Sequence, residues 1–257
     1  MSLAFFLKLT GKDREPRSNW ILGCIMALIA GAVNAGGFLA IQRYTSHMTG
    51  IISGIADDLV VSDLTVVLAG VAALFCFIAG AATTAIFINW ARRRRLHSEY
   101  ALSLALEAAL LLIFGLLGAN LNILVEVFVP TTMLLLCFIM GLQNAIMTKV
   151  SRAEIRTTHM TGVVTDIGIE LGRLFYWNKS KHLPPAEDVR ANRRKLNIYL
   201  SIFSAFLMGG ILGALAFKTV GYFTTVPIAI FLLLIASPPI IRDVFFIIKN
   251  QKQPESP

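Results

Sequence analysis

His47 and His159, the amides Asn34, Gln143 and Asn144, the hydroxyls Ser46, Thr49, Thr158 and Thr161, and the carboxyl group of Glu107 are the side chains whose placement suggests chemistry. They stand within or beside long apolar stretches, where a polar group needs a partner or a ligand. Amides and hydroxyls there suit a small polar or anionic solute. A histidine titrates near neutral pH, so His47 and His159 are candidate proton carriers. Glu107 lies about two turns inside an apolar block, and an intramembrane carboxylate is a functional candidate by default. It would either carry a proton, snorkel toward the arginines at 92–95, or pair with another helix. No HxxxH or HxxE spacing places two ligands on one helix face, so no metal site and no cofactor are expected. No HExxH, GxSxG or P-loop string occurs either, and the chain is not expected to be an enzyme.

These residues recur in pairs. Gly31-Ala-Val-Asn34-Ala35 is echoed by Gly141-Leu-Gln-Asn144-Ala145, and Thr45-Ser-His-Met-Thr-Gly50 by Thr157-Thr-His-Met-Thr-Gly162. The register continues with Ile55 and Ile167, Asp58 and Glu170, and Leu59 and Leu171; further on, Gly80 lines up loosely with Gly210. After each Thr-Gly comes an apolar stretch with spaced acids, residues 51–60 and 163–172, too short to span a bilayer. Each is expected to be a short helix capped by Thr49 or Thr161. It lies either flat at the interface or re-entrant, with its N-terminus lining a cavity. Gly31, Gly36, Gly50, Gly141 and Gly162 are read as helix breaks, although glycines there would equally serve close helix contact.

The elements that must position these groups follow from composition. The chain is 56% hydrophobic and only 15% charged, against roughly 25% in a soluble domain, and its mean hydropathy is +0.71. Six segments reach the ~20 apolar residues that a membrane helix needs: 20–41, 65–90, 101–118, 128–147, 197–217 and 221–240. Of 23 Lys and Arg, 21 fall on one side of these spans and only Arg43 and Lys218 on the other. That asymmetry places both termini in the cytoplasm. It also explains the net charge of +8 without nucleic acid, for which no motif is present. Trp20, Trp90 and Trp177 fall at the cytoplasmic edges as interfacial anchors. Cys24, Cys76 and Cys137 sit inside apolar blocks and read as small buried hydrophobes. The first apolar stretch, from Leu3 to Leu9, is too short for a cleavable signal peptide, so the first span should serve as an uncleaved anchor.

The fold expected is thus an all-α integral membrane protein with six transmembrane helices in two inverted three-helix repeats, each carrying one short helix. A cytoplasmic basic tail (1–19) precedes the first repeat (20–124), the second repeat (125–241) and a cytoplasmic tail (242–257), with one membrane domain overall. Three spans per repeat oblige the second copy to enter from the opposite side, a plan common among secondary transporters.

At the paired motifs the chain resembles the YoaK family of bacterial membrane proteins, also called DUF1275. That family shows G-x-x-D-A, N-M-T-G-N-like, G-x-Q-N-A and Thr-rich T-G elements, matched here by Gly31 to Ala35, His47 to Gly50, Gly141 to Ala145 and Thr157 to Gly162. Asn34, His47 and Ile51 stand where Asp, Asn and a second Asn are usual. The resemblance implies a bacterial inner-membrane protein and supplies no substrate.

The function expected is a secondary transporter or permease for a small polar or anionic solute, bound in a central cavity between the repeats. Asn34, Ser46, His47, Thr49, Gln143, Asn144, Thr158, His159 and Thr161 would line it, and His47, His159 or Glu107 would couple a proton. A non-transporting scaffold or assembly factor, with tightly packed motif segments and no accessible cavity, is the alternative; a channel is a third reading. The partners expected are the lipid bilayer and the solute, with homo-oligomerisation left open.

Overall fold

The computed structural model describes residues 9–11, 15–61, 63–121, 123–151, 157–176 and 189–251. Trp177, the Pro184-Pro185 loop, most of the N-terminal basic tail and the last six residues lie outside these. The described chain is helical: α1 Pro16–Ile41, α2 Met48–Val61, α3 Leu64–Arg93, α4 Ala101–Ala119, α5 Val125–Val150, α6 Met160–Phe175, α7 Arg193–Thr219, a 3-10 turn Gly221–Thr224 and α8 Thr225–Gln251. Among the described residues, six helical stretches are long and apolar enough to cross a membrane, the last running from Gly221 to Phe246. They coincide with the six predicted spans and extend most of them by a few residues.

Local chemistry sets several of the ends. Pro16 opens α1, where its missing N–H costs nothing. Asp63 accepts from the Val66 amide at the start of α3, and Asn192 accepts from the Lys195 amide at the start of α7. Gln42 closes α1 in the left-handed region, at φ 54°. This turns the chain back on itself, and the Tyr44 ring then stacks on Phe38 with centroids 4.8 Å apart.

The core is drawn mainly from α1, α4, α5 and α8, through residues such as Met26, Leu104, Leu111, Leu136, Met140 and Leu232. Large apolar side chains face outward on the spans, Phe75 at 70% and Leu116 at 69% exposure. Facing lipid they cost nothing, whereas in water they would form an aggregating surface.

Pairing crosses the sequence halves. The most extensive contacts are α1 with α7 and α3 with α5, and α4 packs on α8. Both cross-half contacts are made by backbone. A Cβ on Gly31 would strike the Phe206 carbonyl and one on Gly209 the Leu28 carbonyl. Likewise, a Cβ on Gly141 would strike the Phe77 carbonyl and one on Gly80 the Phe138 carbonyl. Small residues at crossings are how membrane helices associate, since lipid offers no hydrophobic drive between them.

These contacts correct two expectations. Gly31 and Gly36 do not break α1, nor does Gly141 break α5; Gly50 and Gly162 lie inside the first turns of α2 and α6. The first three are packing glycines, Gly36 lying against the Phe217 ring. The spans end instead at Ile41 and Val150, and the short helices begin at Met48 and Met160. By contact, Gly209 rather than Gly210 plays the part that Gly80 plays, and Phe77 and Phe206 supply the carbonyls facing Gly141 and Gly31.

Helix directions follow from the same contacts. The Gln143 amide reaches the Met26 carbonyl at 3.1 Å, while Leu136 lies against Gly37. Advancing along α1 therefore means retreating along α5, so these two helices are antiparallel.

At the arginine-rich end, the Asp243 carboxylate of α8 accepts from the backbone amides of His97 at 2.9 Å and Ser98 at 2.8 Å, just ahead of α4. The His97 ring lies 3.2 Å away. Arg92 pairs with Glu99 at 2.8 Å and reaches the Tyr100 hydroxyl. Bonds to a buried carboxylate are each worth about 1.5–3 kcal/mol. Asp243→Ala should therefore lower unfolding stability by at least about 1.5 kcal/mol, measured in detergent micelles against graded denaturing surfactant.

Candidate functional site

The two repeated motifs fold alike. In both copies the first threonine, Thr45 or Thr157, is buried; the next hydroxyl is half-buried, and the histidine and final threonine are exposed. The Ser46 hydroxyl donates to Asn34 Oδ1 at 3.0 Å, and the Thr158 hydroxyl donates to Asn144 Oδ1 at 2.6 Å. Each bond ties the motif turn back to the preceding span. Asn34 is seven residues before the end of α1 and Asn144 six before the end of α5. At 1.5 Å per residue the chain has therefore returned about 10 Å along the span before the short helix starts.

From that level α2 runs back out beside α3. Only residues 62 and 63 separate the two helices, and Ile55 fills the space where a Cβ on Gly70 would go. In the second copy α6 likewise packs on α7. The motif turns thus enter the depth of the spans rather than lying across their ends. Still, α2 buries none of its residues, and α6 only Val163 and Glu170. Both short helices sit at the outside of the bundle.

Thr49 and Thr161 are not caps. The helices begin at Met48 and Met160, which places each threonine inside the first turn. The residue before each helix is the histidine, and His159 makes no side-chain capping bond. Its ring folds over Gly162 instead, and the His47 ring over Gly50; a Cβ at either glycine would collide with the imidazole. This explains the shared His-x-x-Gly spacing without a metal. Among the described residues, no group of three His, Cys, Asp or Glu comes together to hold one.

The nine residues predicted to line one central cavity are divided. Asn34, Ser46, His47 and Thr49 gather where α1 meets α2; Asn144, Thr158, His159 and Thr161 gather where α5 meets α6. Gln143 belongs to neither group, because its amide is spent on the Met26 carbonyl and its own oxygen is buried without a partner. The separation follows from antiparallel α1 and α5. Motifs placed alike toward the ends of two such helices lie toward opposite ends of the bundle.

A cavity of about 290 Å³ opens at the first cluster, near the arginine-poor end. His47, Ile51, Ile55 and Asp58 form one of its walls. Ile51, Ile55 and Asp58 recur every three or four residues and so occupy one face of α2, with His47 just ahead of its first turn. Arg43 and Tyr44 come from the turn, Val66 and Gly70 from α3, and Met133 from α5. Arg43 and Asp58 both border this space without pairing with each other, and Arg43 is exposed. In the second copy the equivalent acid behaves differently. Glu170 is buried, pairs with Arg173 at 2.8 Å and accepts from the Asn192 amide at 2.7 Å.

Glu107 is fully buried on α4, and neither carboxylate oxygen has a hydrogen-bond partner. It does not snorkel to the arginine run: both oxygens stay buried without a partner, while Arg92 pairs with Glu99. Ser103, one turn earlier on the same face, is equally buried and unpartnered. The buried hydroxyls of Thr45 and Thr157 also lack partners, at matching positions of the two motifs.

Sequence reasoning missed Arg43, Asp58, Thr45, Thr157 and Ser103 as site residues. Signals for four of them were present. Arg43 is one of only two basic residues on its side, and the other three belong to the repeated register. Nothing in the pattern singles out Ser103.

Comparison with known proteins places this geometry in context. The family model described as a protein of unknown function, DUF1275, matches residues 22–237, from within α1 through all of α2 to α7 and into the first half of α8. Over 161 residues the chain is 29% identical to the UPF0700 transmembrane protein YoaK of Bacillus subtilis (strain 168), covering 61% of this chain and 69% of that protein. No solved structure matches.

Proposed function

Since the chain belongs to the DUF1275 family and is a multi-pass membrane protein, we propose that it is a secondary transporter for a small polar or anionic solute, built from two inverted repeats. The observation that carries this is the duplicated Asn–hydroxyl bond, Asn34 with Ser46 and Asn144 with Thr158. Each draws a histidine-bearing turn back into the depth of the spans. The antiparallel course of α1 and α5 and the reciprocal α1–α7 and α3–α5 packing support the inverted plan. Such repeats rock about a site between them in alternating access. The solute would meet one motif near each end of the bundle in turn, so two clusters serve where one central cavity was expected.

The cavity beside His47 favours transport over a scaffold, which would pack its motif segments shut. The 21-to-2 split of basic residues supports termini on the cytoplasmic side; the relative from Bacillus supports a bacterial cell membrane. Catalysis has no part in this proposal.

The test is solute flux in proteoliposomes, using a panel of small polar solutes first ranked by thermal stabilisation of the purified protein. Asn34→Leu and Asn144→Leu should each cut flux about tenfold or more, because each leaves a hydroxyl unpaired and frees a motif turn. Full flux in both variants and in His159→Ala would exclude the site.

A further inference from the structure

We propose that the cavity between α2, α3 and the turn at 42–47 is a recognition site for a small organic zwitterion, a molecule of amino-acid type with an apolar body. The proposal rests on the transport reading above and names the solute class for it. Two opposite charges border one space of about 290 Å³: the Arg43 guanidinium from the turn and the Asp58 carboxylate from α2. Among the described residues neither forms an ion pair, although both face the same cavity. A ligand carrying a carboxylate and an ammonium group satisfies both at once. An anion alone would sit near an uncompensated Asp58, and a cation alone near an uncompensated Arg43.

The rest of the wall fits the body of such a molecule. Ile51, Ile55 and Met133 are apolar. The N-terminal end of α2 lies at His47, and its dipole adds positive potential for the carboxylate end. A planar guanidinium takes a carboxylate through two parallel bonds, which fixes the ligand's orientation. Arg43 is also one of only two basic residues on its side of the spans, so it is not part of the charge excess that orients the protein. Selection against basic residues leaves few on that side, and this one borders a cavity.

The second copy shows what occupies the equivalent carboxylate when no ligand is needed there. Glu170, the counterpart of Asp58, holds an arginine of its own helix and a backbone amide. Asp58 has no such neighbour on α2: the residue three positions on is Val61, where Glu170 has Arg173.

The experiment uses the purified full-length chain in detergent. L-leucine and 6-aminohexanoate serve as zwitterions with close and distant charges; 4-methylpentanoate and 3-methylbutylamine serve as singly charged analogues of leucine. At least one zwitterion should raise the unfolding midpoint saturably, and the singly charged analogues should bind at least about tenfold more weakly. Arg43→Gln and Asp58→Asn should each remove the shift while keeping the apo midpoint and helical content. Arg43 is exposed and Asp58 only half-buried, so both variants should fold. No shift with either zwitterion, an equal shift with a singly charged analogue, or shifts unchanged in both variants would overturn the proposal. Flux in proteoliposomes separates the two claims. Binding that depends on Arg43 and Asp58 without any flux sinks the transporter and keeps the site. Flux of some other solute, indifferent to both substitutions, sinks the site and keeps the transporter.

Discussion

Replacing Gly80 or Gly141 by alanine will loosen the contact between α3 and α5, at a cost of about 1–3 kcal/mol for each substitution. The added methyl meets backbone, the Phe138 carbonyl in one case and the Phe77 carbonyl in the other, so no side-chain rotation relieves the clash. Nearby, the Thr84 hydroxyl donates to the Leu142 carbonyl at 3.0 Å and depends on the same close approach. Gly31→Ala and Gly209→Ala should act alike on α1 and α7, against the Phe206 and Leu28 carbonyls. Gly168 and Gly172 on α6 supply the control. An added Cβ meets nothing there, and alanine should be neutral or stabilise by up to about 1 kcal/mol through helix propensity. Because Gly80 and Gly141 occupy one interface, the double variant should cost less than the two singles together. Surfactant titration monitored by circular dichroism measures all of this. Equal costs at contact and control glycines would show that propensity, not helix approach, sets the effect.

Glu107→Leu should make the protein more stable and leave it unable to couple. The carboxylate is fully buried with both oxygens unpartnered, and each unsatisfied buried group costs about 1–3 kcal/mol. Removing it should raise stability by roughly that amount. A residue that costs stability and is nevertheless present is a candidate for function, the usual source of such a trade-off. Glu107→Gln keeps the size while removing the ability to release a proton. If Glu107 carries the coupled proton, uptake driven by an imposed pH gradient is lost in both variants, while solute exchange at equal pH survives. Gradient-driven uptake that persists in Glu107→Gln would remove the residue from the mechanism. A fall in stability for Glu107→Leu would show that the carboxyl group has a partner after all.

The duplicated motif was legible as a string, but its mechanics were not. The identity of His-Met-Thr-Gly in both halves marked the right segment. The reason for the glycine, that an imidazole folds over it, depends on the direction of the chain before the helix. Likewise, Asn34 and Asn144 were recognisable as amides in need of partners. That the partners are Ser46 and Thr158, twelve and fourteen residues on, depends on the chain turning back along its own span, a return that Gln42 starts in the first copy by entering the left-handed region. The glycines themselves misled: their residue type is compatible with a break and with close contact, and only a neighbouring helix decides between them.

What the sequence determined by itself was everything that adds up along the chain. Hydropathy over ~20 residues places six spans, and a repeated string marks two turns that fold alike. Tertiary structure decided whatever depends on distant segments meeting. It set α1 against α7 and α3 against α5, isolated Glu107 from the arginines, and brought Arg43 and Asp58 to one cavity. It also sent the two histidine turns toward opposite ends of the bundle. The physical reason is that lipid rewards any apolar span equally. Which spans touch, and at which residue, is left to the fit of one backbone against another.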